Sequence, residues 1–326
     1  MLGIVDRPPF LDVTVHRSVY PAAVIDELRD GLSAGVVPTR QLYLSARQAR
    51  LWRAIAAAFS PARDAQDGVQ VYDQVNARAA QLLGSNGVHV IGLGCGDGAK
   101  EQRLLEALAG CGPLTATPVD VSLPLVLTAA DALADSAEVT RPIVCDLASC
   151  AGELAEMIGP SESPRLVTLY GILPGLEAAP ALAAAQAILR PGDLLAVSAN
   201  LLPDHPGALE RIIAQYDNPP TRRWLSALLE EAGIEQDCAS LRIEALDDPG
   251  PGARAGVGGW LEVSRPVEVP FGSRSARLEP GRPVRLLRSV RHDADGLTRL
   301  IADVGLEVLD TAVSPSGEEG VVLAAA

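Results

Sequence analysis

The chain has 326 residues, 48% of them hydrophobic and 21% charged, and carries a net charge of −14 from 27 basic and 41 acidic side chains. That composition suits a globular chain of one large or two moderate domains, and its acidity disfavours nucleic acid or an anionic membrane as a partner. Residues 1–9 lack the basic and apolar regions of a secretory leader, no apolar run reaches membrane-span length, and neither the five scattered cysteines nor the four isolated histidines have disulfide or metal-ligand spacing. A reduced cytoplasmic protein with no metal and a small-molecule substrate is expected. The densest basic spots, Arg222-Arg223 and Arg285, Arg288 and Arg291, read as solvated surface because arginine is seldom buried.

Helical patterns at 20–34 and 45–58 come first, with no evident strand partner in the main sheet. From residue 88 to about 200, short β-rich runs at 88–93, 114–119, 141–145, 165–170 and 193–199 alternate with helical patterns near 99–109, 122–134, 150–158 and 177–189. This order predicts a doubly wound parallel sheet. The alternation then stops. Helical patterns at 206–216 and 220–233 precede β-like runs at 239–245, 258–264 and 282–289, before a helix at 294–304 and strands at 306–312 and 319–325. The prediction is a Rossmann-like α/β domain from residues 61–200 and 290–326. A second, mixed α+β substrate domain is expected from 1–60 and 201–289, built from the N-terminus and an insertion after the fifth strand.

The first strand of the alternation ends in Gly92-Leu-Gly94-Cys-Gly96-Asp-Gly98-Ala-Lys100, just before a helical pattern. Alternating glycines permit a tight turn with positive φ and let the backbone approach a ligand, and the string also satisfies the dinucleotide fingerprint G-x-G-x-x-G/A. Later strand ends separate the two cofactors this loop admits. Asp120 and Val121 close the second strand, where a carboxylate accepts ribose hydroxyls. Asp146, followed by Leu147, closes the third, where it accepts the adenine amino proton. Tyr170-Gly171 closes the fourth, beneath the methionine part of S-adenosylmethionine. Together they favour S-adenosylmethionine over NAD. Both aspartates also suit helix N-caps, and Lys100 is either a solvated first-turn residue or the partner of a ligand carboxylate.

Gly92–Lys100 with Arg103-Leu-Leu-Glu-Ala-Leu108, Pro118-Val-Asp-Val-Ser122, Leu189-Arg-Pro-Gly-Asp193 and Gln215-Tyr-Asp-Asn218 resembles the histidine Nα-methyltransferases of ergothioneine biosynthesis. The resemblance spans most of residues 11–326. It implies a class I methyltransferase fold and assigns Gly94, Gly96, Lys100, Asp120, Asp146 and Leu147 to the cofactor. It also sets Tyr43, and more loosely Tyr72, beside the acceptor. Two positions depart from the family. Gly175 stands where an asparagine holds the substrate's amino group, and Leu287 stands where a glutamate faces the imidazole, with Ser289 alone retained. Each buried donor left unpaired costs roughly 1–3 kcal/mol, so an acceptor other than histidine is expected.

The resulting expectation is an S-adenosylmethionine-dependent enzyme that methylates the amino group of an amino acid or related small amine. O- or C-methylation of a specialised metabolite, an NAD-linked oxidoreductase and a non-catalytic binding protein are the competing readings. Tyr43, Tyr170, Ser289 and Trp260 are candidates to line the pocket, and Arg288 is a candidate to pair a substrate carboxylate. No residue stands out as a general base.

Overall fold

The computed structural model describes residues 11–63 and 67–326; the segment read for a leader, residues 1–9, lies outside them. Strand β1 (Thr14–Val15) is followed by helices α1 (Pro21–Ala34), α2 (Ala46–Phe59) and α3 (Gly68–Leu83). The alternating region runs β2 (Val88–Leu93), α4 (Ala99–Ala107), β3 (Leu114–Asp120), α5 (Leu123–Leu133), β4 (Glu138–Val139), β5 (Ile143–Val144), α6 (Leu147–Ile158), β6 (Arg165–Tyr170), α7 (Ala178–Gln186) and β7 (Leu194–Asn200). Then come α8 (Ala208–Tyr216), α9 (Pro219–Glu231), β8 (Ala239–Ala245), β9 (Ala255–Val263), β10 (Val267–Phe271), β11 (Arg274–Leu278) and β12 (Val284–Arg291). The described chain closes with α10 (Ala294–Ala302), β13 (Glu307–Val313) and β14 (Glu319–Ala325).

Strands β1-β5-β3-β2-β6-β7-β14-β13 form one sheet in that order, with β4 beside β3. It is parallel up to β7, after which β14 inserts antiparallel between β7 and β13. All six residues of β2 and of β6 are buried, as expected of parallel strands covered by helices on both faces. The fold is therefore the mixed α/β, Rossmann-like sheet that the sequence predicts. The extra sheets are the antiparallel trio β12-β9-β8 and the hairpin β10-β11. An apolar cluster joins Leu32, Leu42, Trp224, Leu225, Leu261 and Leu287, so N-terminal residues share a core with the segment after β7.

The structure corrects two sequence expectations and adds two elements that the pattern does not show. The N-terminal segment does reach the main sheet, since Thr14 and Val15 pair in parallel with Ile143 and Val144. They satisfy the free edge of β5, a contact two residues long that leaves no periodic trace. The third strand is also broken, into β4 and β5, around Arg141 at φ +46°. Helix α3 escapes the pattern because Val69, Val71 and Val75 favour strands locally, yet it packs on β13, β14 and α4. Finally, the β10-β11 hairpin turns at Gly272-Ser273 with Gly272 at φ +63°, and an alternating Val267-Glu-Val run before Gly-Ser was its available signal.

Candidate active site

The loop after β2 turns at Gly94, Gly96 and Gly98, with φ of +71°, +55° and +78°. A Cβ at Gly94 would overlap Cγ2 of Ile172; at Gly96 it would lie 2.7 Å from the Trp52 ring, and at Gly98 2.9 Å from Cα of Ala129. The bare backbone is thus required twice over, by conformation and by space. Gly92 differs. It lies within β2, where a Cβ would meet Cγ of Glu101 at 3.1 Å, so its part is spacing rather than turning.

At the end of β3, Asp120 grips this loop: its Oδ2 accepts the Gly96 N–H at 2.9 Å and its Oδ1 accepts that of Ser122 at 3.0 Å. Burial pushes the Asp120 pKa up while these backbone donors restrain it. Val121 follows, partly buried. Asp146 caps α6, its Oδ1 accepting from Ala148 N–H at 3.2 Å and its Oδ2 from the Ser149 hydroxyl at 3.0 Å, with Arg40 Nη2 at 3.8 Å. The capping alternative is thus realised at Asp146, whereas at the β3 end the cap position falls on Ser122. Leu147 is buried in the core just inside α6.

Lys100 extends from α4 toward the end of β6, where a Cβ on Gly171 would come within 3.0 Å of its Nζ. The amine lies 5.0 Å from the Tyr72 ring centroid and 6.0 Å from that of Tyr170. Among the described residues it has no carboxylate at ion-pair distance, and burial lowers its pKa. Tyr72 and Tyr170 meet edge to face, with centroids 5.1 Å apart, and the Tyr170 hydroxyl donates to Asn76 Oδ1 at 3.3 Å. In the same first turn of α4 Glu101 is buried; it accepts from the Thr168 hydroxyl at 2.8 Å, and desolvation raises its pKa to about 7.

Tyr72 does not present a free hydroxyl. It lies 2.6 Å from both Ser198 Oγ and Glu319 Oε1. Glu319, the first residue of β14, also accepts from Asn200 Nδ2 at 3.1 Å, and burial raises its pKa against the pull of Lys100 and Arg291. Across the site Tyr43 sits between the rings of Trp52 and Trp224, with centroids 5.8 and 5.3 Å away, and its carbonyl accepts from the Ser122 hydroxyl at 2.6 Å. Desolvation, together with Tyr216 and Asp120 nearby, pushes its hydroxyl pKa well up. This ties the wall after β7 to the floor at β3.

On β12, Ser289 Oγ lies 2.8 Å from the Tyr216 hydroxyl, and Arg291 donates to both, at 3.0 and 3.1 Å. The turn holding Gly175 is docked on this strand through the Val290 N–H, which donates to Pro174 O at 2.8 Å. Leu287 is buried against Gly259, beside Leu225. Two candidates do not join this group. Trp260 packs against Arg242, with the guanidinium 5.2 Å from its ring centroid, and Arg288 points to Pro249 O at 2.8 Å. Arg291, read as solvated, is only 3% exposed. Sequence reasoning missed Arg291, Glu319 and the role of Tyr216; the alternation of β12, which puts Arg291 on the face of Ser289, was the one usable signal.

No helix among the described residues is long and apolar enough to cross a membrane. No curated protein matches the sequence at a significant level. Among solved structures, a methyltransferase of Aquifex aeolicus is 11% identical over 83% of this chain and 96% of its own, with a TM-score of 0.40. A putative methyltransferase of Thermobifida fusca YX is 13% identical over 94% and 99%, at 0.43. A possible exported protein of Bordetella parapertussis is 12% identical over 93% and 94%, at 0.45. The profile of a family described as histidine-specific, S-adenosylmethionine-dependent methyltransferases matches residues 27–326. The chain belongs to that family and is an S-adenosylmethionine-dependent methyltransferase.

Proposed function

We propose that the enzyme methylates the amino nitrogen of an amino acid or related small amine other than histidine. In this reading residues 61–200 and 290–326 hold the cofactor, and residues 1–60 and 201–289 hold the acceptor. The observation that carries the choice of acceptor is Leu287. It lies in an apolar cluster at the position where the resemblance sets the carboxylate facing the imidazole, and Gly175 offers no amide.

Bound S-adenosylmethionine supplies an electrophilic methyl carbon. The residues present fit that cofactor. The side-chain-free backbone of Gly94 and Gly96 allows close approach, Asp120 accepts the ribose hydroxyls, and Val121, Asp146 and Leu147 flank the adenosine. Lys100, partly buried and without an ion-pair partner among the described residues, takes a carboxylate beside Tyr170 and Gly171. Glu319 answers a positive charge from between Lys100 and Arg291. The acceptor nitrogen must present a free lone pair, and the walls of buried Tyr72 and partly buried Tyr43 and Tyr216 strip water, which lowers an ammonium pKa. Positioning and desolvation thus do the work asked of the protein.

The test is turnover with an amine and amino-acid panel that includes histidine, read by mass spectrometry. With two donors of histidine unanswered, at ~1–3 kcal/mol each, its kcat/KM is expected to be at least about 30-fold below that of the best acceptor. Histidine as best acceptor, the second reading favoured by the family's description, overturns the proposal, and so does a product methylated on oxygen or carbon.

A further inference from the structure

We propose that Arg291 anchors a carboxylate of the methyl acceptor, with Ser289 and Tyr216 as co-donors. The inference rests on the preceding reading for where the acceptor lies, and it narrows the acceptor to amines that also carry an acid group.

A buried guanidinium is costly unless an anion or a full set of acceptors answers it. Arg291 Nη1 donates to Ser289 Oγ at 3.0 Å and Val290 O at 3.2 Å, and Nη2 donates to the Tyr216 hydroxyl at 3.1 Å. All three acceptors are neutral, and among the described residues no carboxylate lies at ion-pair distance. Arg165, also buried, provides the contrast. It ends on the main-chain carbonyls of Ile188 and Gly159, fixed acceptors that suit a structural role. The Ser289 and Tyr216 hydroxyls can rotate. With an oxyanion present they become donors alongside the guanidinium, giving the convergent set a carboxylate needs.

Charge points the same way. Lys100 and Arg291 both act on Glu319, whose oxygens are already engaged by Tyr72 and Asn200, and of the two cations Lys100 is also answered by Glu101 and Asp97. The Arg291 charge also lowers the pKa of the Tyr216 hydroxyl, against the effect of burial. If Lys100 takes the cofactor's carboxylate and Glu319 an ammonium, Arg291 is the cation left to the acceptor. Leu287, Ser289 and Arg291 share one face of β12, so the departure that removes a carboxylate at Leu287 and the guanidinium at Arg291 together shift this wall from recognising a cation-forming ring to recognising an acid.

Two measurements test the proposal on the whole protein. The first compares amine acceptors that differ only in carboxylate against carboxamide. The acid member is expected to be used about 100-fold better, the factor a charge-assisted hydrogen-bond set provides. Arg291→Gln brings the two within about 3-fold, and Arg291→Lys keeps part of the preference. Equal use of acid and amide by the wild type, or an equal loss for both in Arg291→Gln, overturns the proposal in favour of a structural arginine. The second needs no turnover: glutarate is expected to raise the melting temperature of the protein loaded with S-adenosylhomocysteine, glutaramide is not, and Arg291→Gln abolishes the shift while S-adenosylhomocysteine affinity stays unchanged. No glutarate shift overturns the anchor. An arginine-dependent shift with no amine methylated leaves the anchor standing and sinks the amine reading instead.

Discussion

The floor of the site and its far wall are built by opposite means. Around the glycine loop, the contacts that matter run from a side chain to main-chain N–H groups a short way along the chain, as in Asp120 with Gly96 and Ser122. On the wall, side chain meets side chain across long stretches of sequence: Tyr216 with Ser289, and Tyr72 with Glu319, 247 residues away. In the proposed reading the floor serves the cofactor, which every acceptor shares, and the wall serves what distinguishes one acceptor from another. A main-chain cradle tolerates no side chain, whereas a side-chain network can be rewritten one residue at a time.

Four substitutions sharpen the contrast, from the largest expected effect to the smallest. Gly94→Ala forces a Cβ into Ile172 at φ +71°. The left-handed conformation and the overpacking together cost ~2–5 kcal/mol in denaturant unfolding, and S-adenosylhomocysteine binding weakens in calorimetry. A fully stable Gly94→Ala protein would show the cradle to be looser than described.

Glu101 gives a pH signature of the floor. Its pKa stands at about 7 in the folded chain against an ordinary 4.5, so the folded state binds the extra proton. Its contribution is complete below the unfolded value and is lost as pH rises through about 7. Buried His89 runs the other way, lowered from 6.5 to about 4. It contributes above its unfolded value and loses that contribution as pH falls toward 4, which masks the Glu101 slope in the wild type. Glu101→Gln is expected to remove the Glu101 slope and leave the His89 rise, gaining up to ~3 kcal/mol over wild type between pH 5 and pH 8, read from urea midpoints at both. Parallel pH profiles for the two proteins would contradict the assignment.

Asp120→Ala leaves the Gly96 and Ser122 N–H groups unanswered and removes the proposed acceptor for ribose. A loss of ~2 kcal/mol, about 30-fold in S-adenosylhomocysteine affinity, is expected by calorimetry, and unchanged affinity would remove the ribose role. Tyr216→Phe tests the wall more gently, removing one hydroxyl from the Ser289–Arg291 set. A stability loss of ~1 kcal/mol is expected, with kcat/KM for the acceptor reduced and cofactor affinity untouched. Weakened cofactor binding in Tyr216→Phe would erase the division between floor and wall.

The same division explains what was legible in the sequence. Fully buried parallel strands read as apolar runs, and glycines at 94, 96 and 98 announce a turn that other residues do not make, so β2, β3, β6, β7 and the loop emerge from local pattern alone. Helix α3 did not, because its valines argue locally for a strand and only packing against β13 and β14 overrules them. Arg291 read as surface because its burial exists only once Tyr216 has been brought to Ser289. Glu319 carried no mark at all; its meaning depends on the register that sets β14 beside β7, pairing it with Asn200.

That register has a consequence for how the enzyme is made. The nascent chain completes the glycine cradle some 220 residues of synthesis before the acid of β14 exists, and loops of such span close late in folding. A polypeptide arrested between Ile172 and Glu319 has the loop and the residues packed on it but not the carboxylate that accepts from Tyr72 and Asn200. The hydrogen bonds that Tyr72 and Asn200 make to Glu319 can therefore form only once the final strand of the sheet has been synthesised.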